Sequence, residues 1–85
     1  MKIIFHKNFD KQYKKLNKKE QKKVQNRLSK FAQDPFAPLL NNHPLRGRYT
    51  DYRSINITVD LRAIYKFNGK DQCIFVAVDT HSNLY

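Results

Sequence analysis

The chain has only two glycines, Gly47 and Gly69, one cysteine, Cys73, no tryptophan, and seven acidic residues against 17 lysines and arginines. Two isolated glycines exclude a P-loop and a dinucleotide-binding glycine pattern, both of which need several glycines close together so that backbone can approach phosphate. One cysteine excludes an internal disulfide and a thiolate metal site, and it points to a reducing, cytoplasmic compartment. Cys73 lies in an apolar run and reads as a buried, inert thiol. The histidines at 6, 43 and 81 have no partners at metal-ligand spacing, so no metal and no other cofactor is expected. No apolar stretch approaches the roughly 20 residues of a membrane span, and MKIIFHKNF lacks the apolar length and cleavage site of a signal peptide. No membrane partner is expected. What remains is one small domain over residues 1–85, near the lower size limit for folding alone.

The charge that is present is uneven. Residues 1–30 carry eleven lysines and arginines against Asp10 and Glu20, whereas residues 31–85 carry six against five acids. A field of this sign attracts polyanions: nucleic acid, the ribosome, or an acidic protein. The same lysines also suit a solvated helix surface, and charge alone does not choose. Lys11, Lys14, Lys15, Lys18, Lys22 and Lys23 are the candidates for contact with such a polyanion.

In chain order, Lys2 to His6 reads as a short strand. Phe9, Tyr13 and Leu16 then recur at helical spacing. Asn17 followed by Glu20 has the form of a capping box, and Val24, Leu28, Phe31 and Ala32 continue a second helix until Asp34-Pro35 stops it. Pro35 to Asn42 is a connection, with His43-Pro44-Leu45 opening the next element. Leu45 to Tyr49 is expected as a short strand with Gly47 at a bulge or close approach. Tyr52 to Phe67 is a hairpin turning at Thr58-Val59-Asp60. Arg53, Ile55, Ile57 and Val59 share one face of its first strand, and Leu61, Ala63, Tyr65 and Phe67 form the apolar face of its second. Asn68 to Asp71 is a turn, Cys73 to Val78 an interior strand, and Asp79 to Tyr85 a tail leaving it. The order predicts an α+β fold: a mostly antiparallel β-sheet with an N-terminal strand and a two-helix hairpin packed on one face, the other face free.

The polar residues near the strand ends fit one chemistry. RNA cleavage without a metal needs a base for the 2′-hydroxyl, an acid for the departing 5′-oxygen, and charge stabilisation at phosphorus. His43 and His81 suit the proton transfers, because imidazole titrates near neutral pH. The planar fork of Arg62 suits phosphate oxygens, and Asn56 and Arg53 are further candidates for RNA contact. Tyr85 suits base stacking or hydrogen-bond donation. Taken singly, each residue has a plainer reading: surface histidine, ion-paired arginine, aromatic core plug.

HPLRGRYTDYRSINITVDLRAIYKF followed by DTHSNLY resembles the RelE/ParE superfamily of bacterial toxins, in particular its YafQ-like branch. The HPL opening at His43 to Leu45, the Tyr52-Arg53 pair, the Asp60 to Lys66 run and the Thr80 to Tyr85 ending carry the likeness. The resemblance implies a toxin of a type II toxin-antitoxin system, with the RelE/ParE-like fold reached above. It implies a ribosome-dependent mRNA endonuclease, an mRNA interferase cutting message in the ribosomal A site, held inactive by a cognate antitoxin. It places His43, Asp60, His81 and Tyr85 at the cleavage site. Asn56, Leu61 and Ala77 stand where that branch has histidine, tryptophan and arginine, and Arg62 is placed like the strand arginine of RelE. Two alternatives stay open: a ParE-like gyrase inhibitor without catalysis, which has no need of His43 and His81, and a basic nucleic-acid-binding module.

Overall fold

The computed structural model describes residues 1–84; the terminal Tyr85 lies outside the described residues. The elements run β1 (Lys2–Phe5), α1 (Lys7–Lys15), α2 (Lys18–Gln33), β2 (His43–Pro44), β3 (Arg53–Asn56), β4 (Leu61–Phe67), β5 (Gln72–Thr80) and α3 (His81–Leu84). The five strands form one sheet in the order β1-β5-β4-β3-β2. β1 pairs with β5 in parallel, and the other three pairings are antiparallel.

Local chemistry sets the helix boundaries. Asn17 caps α2 as the sequence predicts: its side chain accepts from the Glu20 backbone N–H at 2.8 Å, and Glu20 accepts from the Asn17 N–H at 3.1 Å. These reciprocal bonds satisfy donors that the first turn leaves unpaired. His6, at the end of β1, is itself the N-cap of α1, its Nδ1 accepting from the Asn8 N–H. β1 stops at Phe5, and side chains of α1 then take over the outer edge of β5. Asn8 Nδ2 donates to the Val76 carbonyl at 3.0 Å, and Gln12 Oε1 accepts from the Val78 N–H at 2.9 Å. A row of strand groups that would otherwise lack partners is thereby closed.

The main core lies between the helices and one sheet face. Phe9, Val24 and Phe31 of the helices meet Ile55, Ile57, Leu61, Ala63, Tyr65, Cys73, Phe75 and Val78, all buried. Phe31 stands edge-on to Tyr65 and Phe75, at centroid distances of 4.8 and 5.2 Å. Burial pushes the Cys73 thiol up to about 11, the inert character its sequence context predicts.

Five expectations need correction. Leu45 to Tyr49 is not a strand: pairing ends at Pro44, and Gly47–Tyr49 is a 3₁₀ turn entered by Gly47 at φ +66°, a backbone region that glycine adopts without a Cβ clash. The tail leaves the sheet later than expected, because β5 runs to Thr80 before α3 begins. Ala32 is exposed, since the stripe of α2 closes at Phe31, and Val59, at the hairpin tip beyond the helices' reach, is 87% exposed. The second sheet face is only partly free: Ile64, Ala77 and Leu84 form a smaller buried cluster there, with Leu45, Tyr49, Tyr52 and Val76 against it.

β5 also changes phase along its length. Ile64 pairs with Ala77 but Tyr65 with Phe75, so Val76 is an extra residue in β5. Strict alternation from Cys73 and Phe75 would send Ala77 and Asp79 into the core. The bulge resets the alternation, so that Val78 enters the core and Asp79 moves to the second face opposite Arg62.

Candidate functional site

Strand register lays out the second face in rows. Asn56, Arg62 and Asp79 are cross-strand neighbours in one row; His43, Ser54, Ile64 and Ala77 make the next. Paired residues share a face, so His43 stands one row from Arg62 although 19 positions separate them in the chain.

The hairpin tip is stiff. Ile57 and Thr58 N–H groups both donate to the Leu61 carbonyl, and the Leu61 N–H donates to Thr58 Oγ1 at 3.0 Å. Arg62 Nη1 donates to the carbonyls of Thr58 and Val59 at 2.7 and 2.6 Å. One arm of the guanidinium therefore holds the turn, and its fork is aimed at the tip. The tip is also tied to the last turn of the chain: the His81 N–H donates to the Asp60 carbonyl at 2.7 Å. Asp60 and His81, both exposed, thus begin from adjoining backbone beside Arg62.

Asp79 shapes the last turn. Its Oδ1 accepts from the Thr80 N–H at 2.7 Å and from Asn83 Nδ2 at 3.2 Å, bridging the entry to α3 to its third residue. Leu84 closes the turn against Ile64 and Ala77. Ala77, the position for which the resemblance implies arginine, is buried under this turn, which leaves Arg62 as the arginine that β3 and β4 bring to this face.

His43 is held from the other side. Asn41 adopts a left-handed conformation, φ 46° and ψ 49°, and its carbonyl lies 2.8 Å from His43 Nδ1. A carbonyl only accepts, so Nδ1 carries the proton and Nε2 of the neutral ring is left as the basic nitrogen. Asn42 anchors this segment: Nδ2 donates to the Pro35 carbonyl at 2.8 Å and to the Tyr65 hydroxyl at 2.5 Å, while Oδ1 accepts from Arg53 Nε at 2.7 Å. Arg53 also lies 5.2 Å from the Phe36 ring centroid, and burial raises the Tyr65 hydroxyl above its ordinary value against the opposing pull of Asn42 and Arg53. Asn42→Ala takes the donor from the Tyr65 hydroxyl and the Pro35 carbonyl and the acceptor from Arg53 Nε at once. A stability loss of about 2 kcal/mol, read by urea denaturation, and movement of the His43 ring resonances are expected.

Of the residues singled out from sequence, His43, Asn56 and Arg62 thus share one face of the sheet, and Asp60 and His81 meet through their backbones beside Arg62. Arg53 is not among them: it points to the helix side, held by Asn42 and Phe36. Tyr85 lies outside the described residues. The six lysines are all exposed but separated. Lys23, with Arg27, borders a 430 Å³ recess shared with Asn56 and Thr58 of the hairpin, whereas Lys18 and Lys22 border another beside Lys19. Sequence reasoning missed Asn42 and Asp79. The Asp-Thr-His-Ser-Asn run had a capping signature that could have exposed Asp79, but nothing local marks Asn42. Among the described residues, Ser54 Oγ and Asn56 Oδ1 are buried and have no hydrogen-bond partner. Among the described residues no group of three or more His, Cys, Asp or Glu is placed to hold a metal ion, and no helix is long and apolar enough to cross a membrane.

A family model described as a bacterial toxin of type II toxin-antitoxin system, YafQ, matches residues 1–85. The chain belongs to the YafQ family. It is therefore a toxin of the type II toxin-antitoxin class. Among solved structures, it is similar to YafQ from E. coli strain BL21(DE3), with 23% identity, a TM-score of 0.82, and coverage of 98% of this chain and 96% of that one. A metal-bound toxin from Helicobacter pylori is 28% identical at a TM-score of 0.72, covering 100% of this chain and 99% of that one. The toxin in the E. coli DinJ-YafQ toxin-antitoxin complex is 24% identical at a TM-score of 0.79, covering 98% and 94%. No curated protein sequence matches the chain significantly.

Proposed function

We propose that this YafQ-family toxin is an endoribonuclease that cuts mRNA in the ribosomal A site and so inhibits translation in the cytoplasm. The observation that carries the reading is the hydrogen bond from the His81 N–H to the Asp60 carbonyl, which joins the last turn to the hairpin beside Arg62, one row from His43. His43 Nε2 takes the proton of the 2′-hydroxyl, and the oxygen attacks phosphorus. His81 delivers a proton to the 5′-oxygen as the phosphorus–oxygen bond breaks, giving a 2′,3′-cyclic phosphate and a 5′-hydroxyl. Arg62, with one arm in the turn, offers the remainder of its fork to the phosphate oxygens. Asp60 orients the His81 turn, Asn56 contacts the substrate strand, and Tyr85 stacks on a base. No metal takes part, and a cognate antitoxin, as in the DinJ-YafQ complex, covers the toxin in resting cells.

Purified toxin added to translating ribosomes should generate new mRNA ends within coding sequence. Intact message combined with chromosome breakage would transfer the chain to the gyrase-inhibitor reading, and harmless expression without antitoxin would reduce it to a binding module.

The exposed lysines of α1 and α2 dock on ribosomal RNA in this reading. Neutralising Lys11, Lys14, Lys15, Lys18, Lys22 and Lys23 together is expected to weaken ribosome binding and to flatten its log-log salt dependence by about one for each phosphate that no longer meets a lysine. Binding as tight as wild type across a salt series would make the lysines a solubility feature. Folding should persist, because solvated lysines add little to stability.

A further inference from the structure

Beyond the His43 row, Lys66 of β4 and Ile74 of β5 pair in a third row, and Tyr52, immediately before β3, lies beside them. A recess of 510 Å³ opens there, lined by Tyr49, Tyr52, Lys66, Val76 and, from the start of α1, His6. The Tyr49 and Tyr52 rings meet edge to face, 6.1 Å apart at 84°. Each has a cation against it: Lys66 Nζ is 5.4 Å from the Tyr52 centroid, and the Arg48 guanidinium is 5.5 Å from that of Tyr49. No carboxylate side chain lines the recess among the described residues. Lys66 follows Arg62 by four residues on one strand, a displacement of about 13 Å along the same face.

An aromatic ring beside a mobile cation in a concave, acid-free site suits one ligand chemistry well: a nucleobase with its phosphate. The base stacks on the ring, and the cation swings off it to the backbone. We propose that this recess is a subsite for single-stranded RNA, taking a base adjacent to the cleavage position against Tyr52 and the neighbouring phosphate on Lys66. The subsite rests on the nuclease reading for its place on the message, but not for the binding itself. An acidic protein segment would use the cations without needing the ring.

The test measures binding of a short 2′-O-methyl oligoribonucleotide, which cannot be cleaved, and of an abasic strand of equal length and charge, by fluorescence anisotropy. Wild-type protein is expected to prefer the base-bearing strand. Tyr52→Leu should weaken that strand about tenfold and leave the abasic strand unchanged, whereas Lys66→Gln should weaken both and lower the salt slope by about one. Equal binding of the two strands by wild type, or an undiminished preference in Tyr52→Leu, overturns the proposal. So does Tyr52-dependent binding of an acidic peptide in place of RNA. Tyr52 packs against the Ile64, Ala77 and Leu84 cluster, so if Tyr52→Leu loses its fold by circular dichroism, Lys66→Gln decides, and an unchanged salt slope refutes the subsite. Absence of mRNA cleavage with Tyr52-dependent binding intact would remove the nuclease reading and keep the RNA site.

Discussion

His81→Ala is expected to lower mRNA cleavage on the ribosome by two orders of magnitude or more while leaving the protein folded and ribosome-bound. A positioned general acid or base contributes about 10²- to 10⁴-fold. The imidazole is exposed, and the tie from residue 81 to Asp60 runs through the backbone N–H, which alanine retains. The substitution therefore removes the proton-transfer group without untying the hairpin from the last turn. Primer extension on message from cells expressing the variant without antitoxin measures the loss, and growth recovers with it. Growth arrest equal to wild type would sink the assignment of His81. Arg62→Ala makes an informative contrast. Because Nη1 supports the Thr58 and Val59 carbonyls, its loss should lower cleavage and thermal stability together.

Phe31→Ala carries the largest expected effect on folding. Phe31 has no exposed surface and fills the angle between Tyr65 and Phe75, the two rings that join β4 to β5 at the centre of the core. Truncating a buried phenylalanine costs about 3–5 kcal/mol, set by the lost transfer free energy and the cavity left behind. Small domains have only about 5–15 kcal/mol in total. The variant should be largely unfolded at physiological temperature, or have its urea midpoint reduced by half or more. A midpoint within a few tenths of molar of wild type would mean that the aromatic cluster is not the centre of stability.

Much of the architecture was legible because it is local. Asn17 and Glu20 reveal the start of α2, since a capping box is completed within four residues, and Asp34-Pro35 marks its end. The alternation of Leu61, Ala63 and Tyr65 against Arg62 and Lys66 identifies both faces of β4, since strand geometry has a period of two. His43, Asp60, Arg62 and His81 were found by residue chemistry and by their resemblance to a toxin family; strand register puts His43 and Arg62 on a common face, and the backbone bond from His81 to Asp60 brings the other two beside Arg62.

Other features depend on contacts between segments far apart in the chain. CIFVAV is apolar throughout, so nothing in it marks Val76 as the extra residue. The bulge follows from pairing with β4 and from α1 taking the outer edge, and it alone decides that Asp79 faces Arg62. Alternation already puts Arg53 on the face of Ile55, and what the fold adds is its anchor: Asn42 and Phe36, brought in by the connection after α2, hold its guanidinium. Asn42 is, by sequence, only the end of a connection, because its three hydrogen-bond partners, Pro35, Arg53 and Tyr65, assemble only when connection, hairpin and core meet. The sequence by itself determined the order of elements, the basic helices and the reactive groups; tertiary pairing decided which of those groups share a face, because face is a property of register and not of residue type.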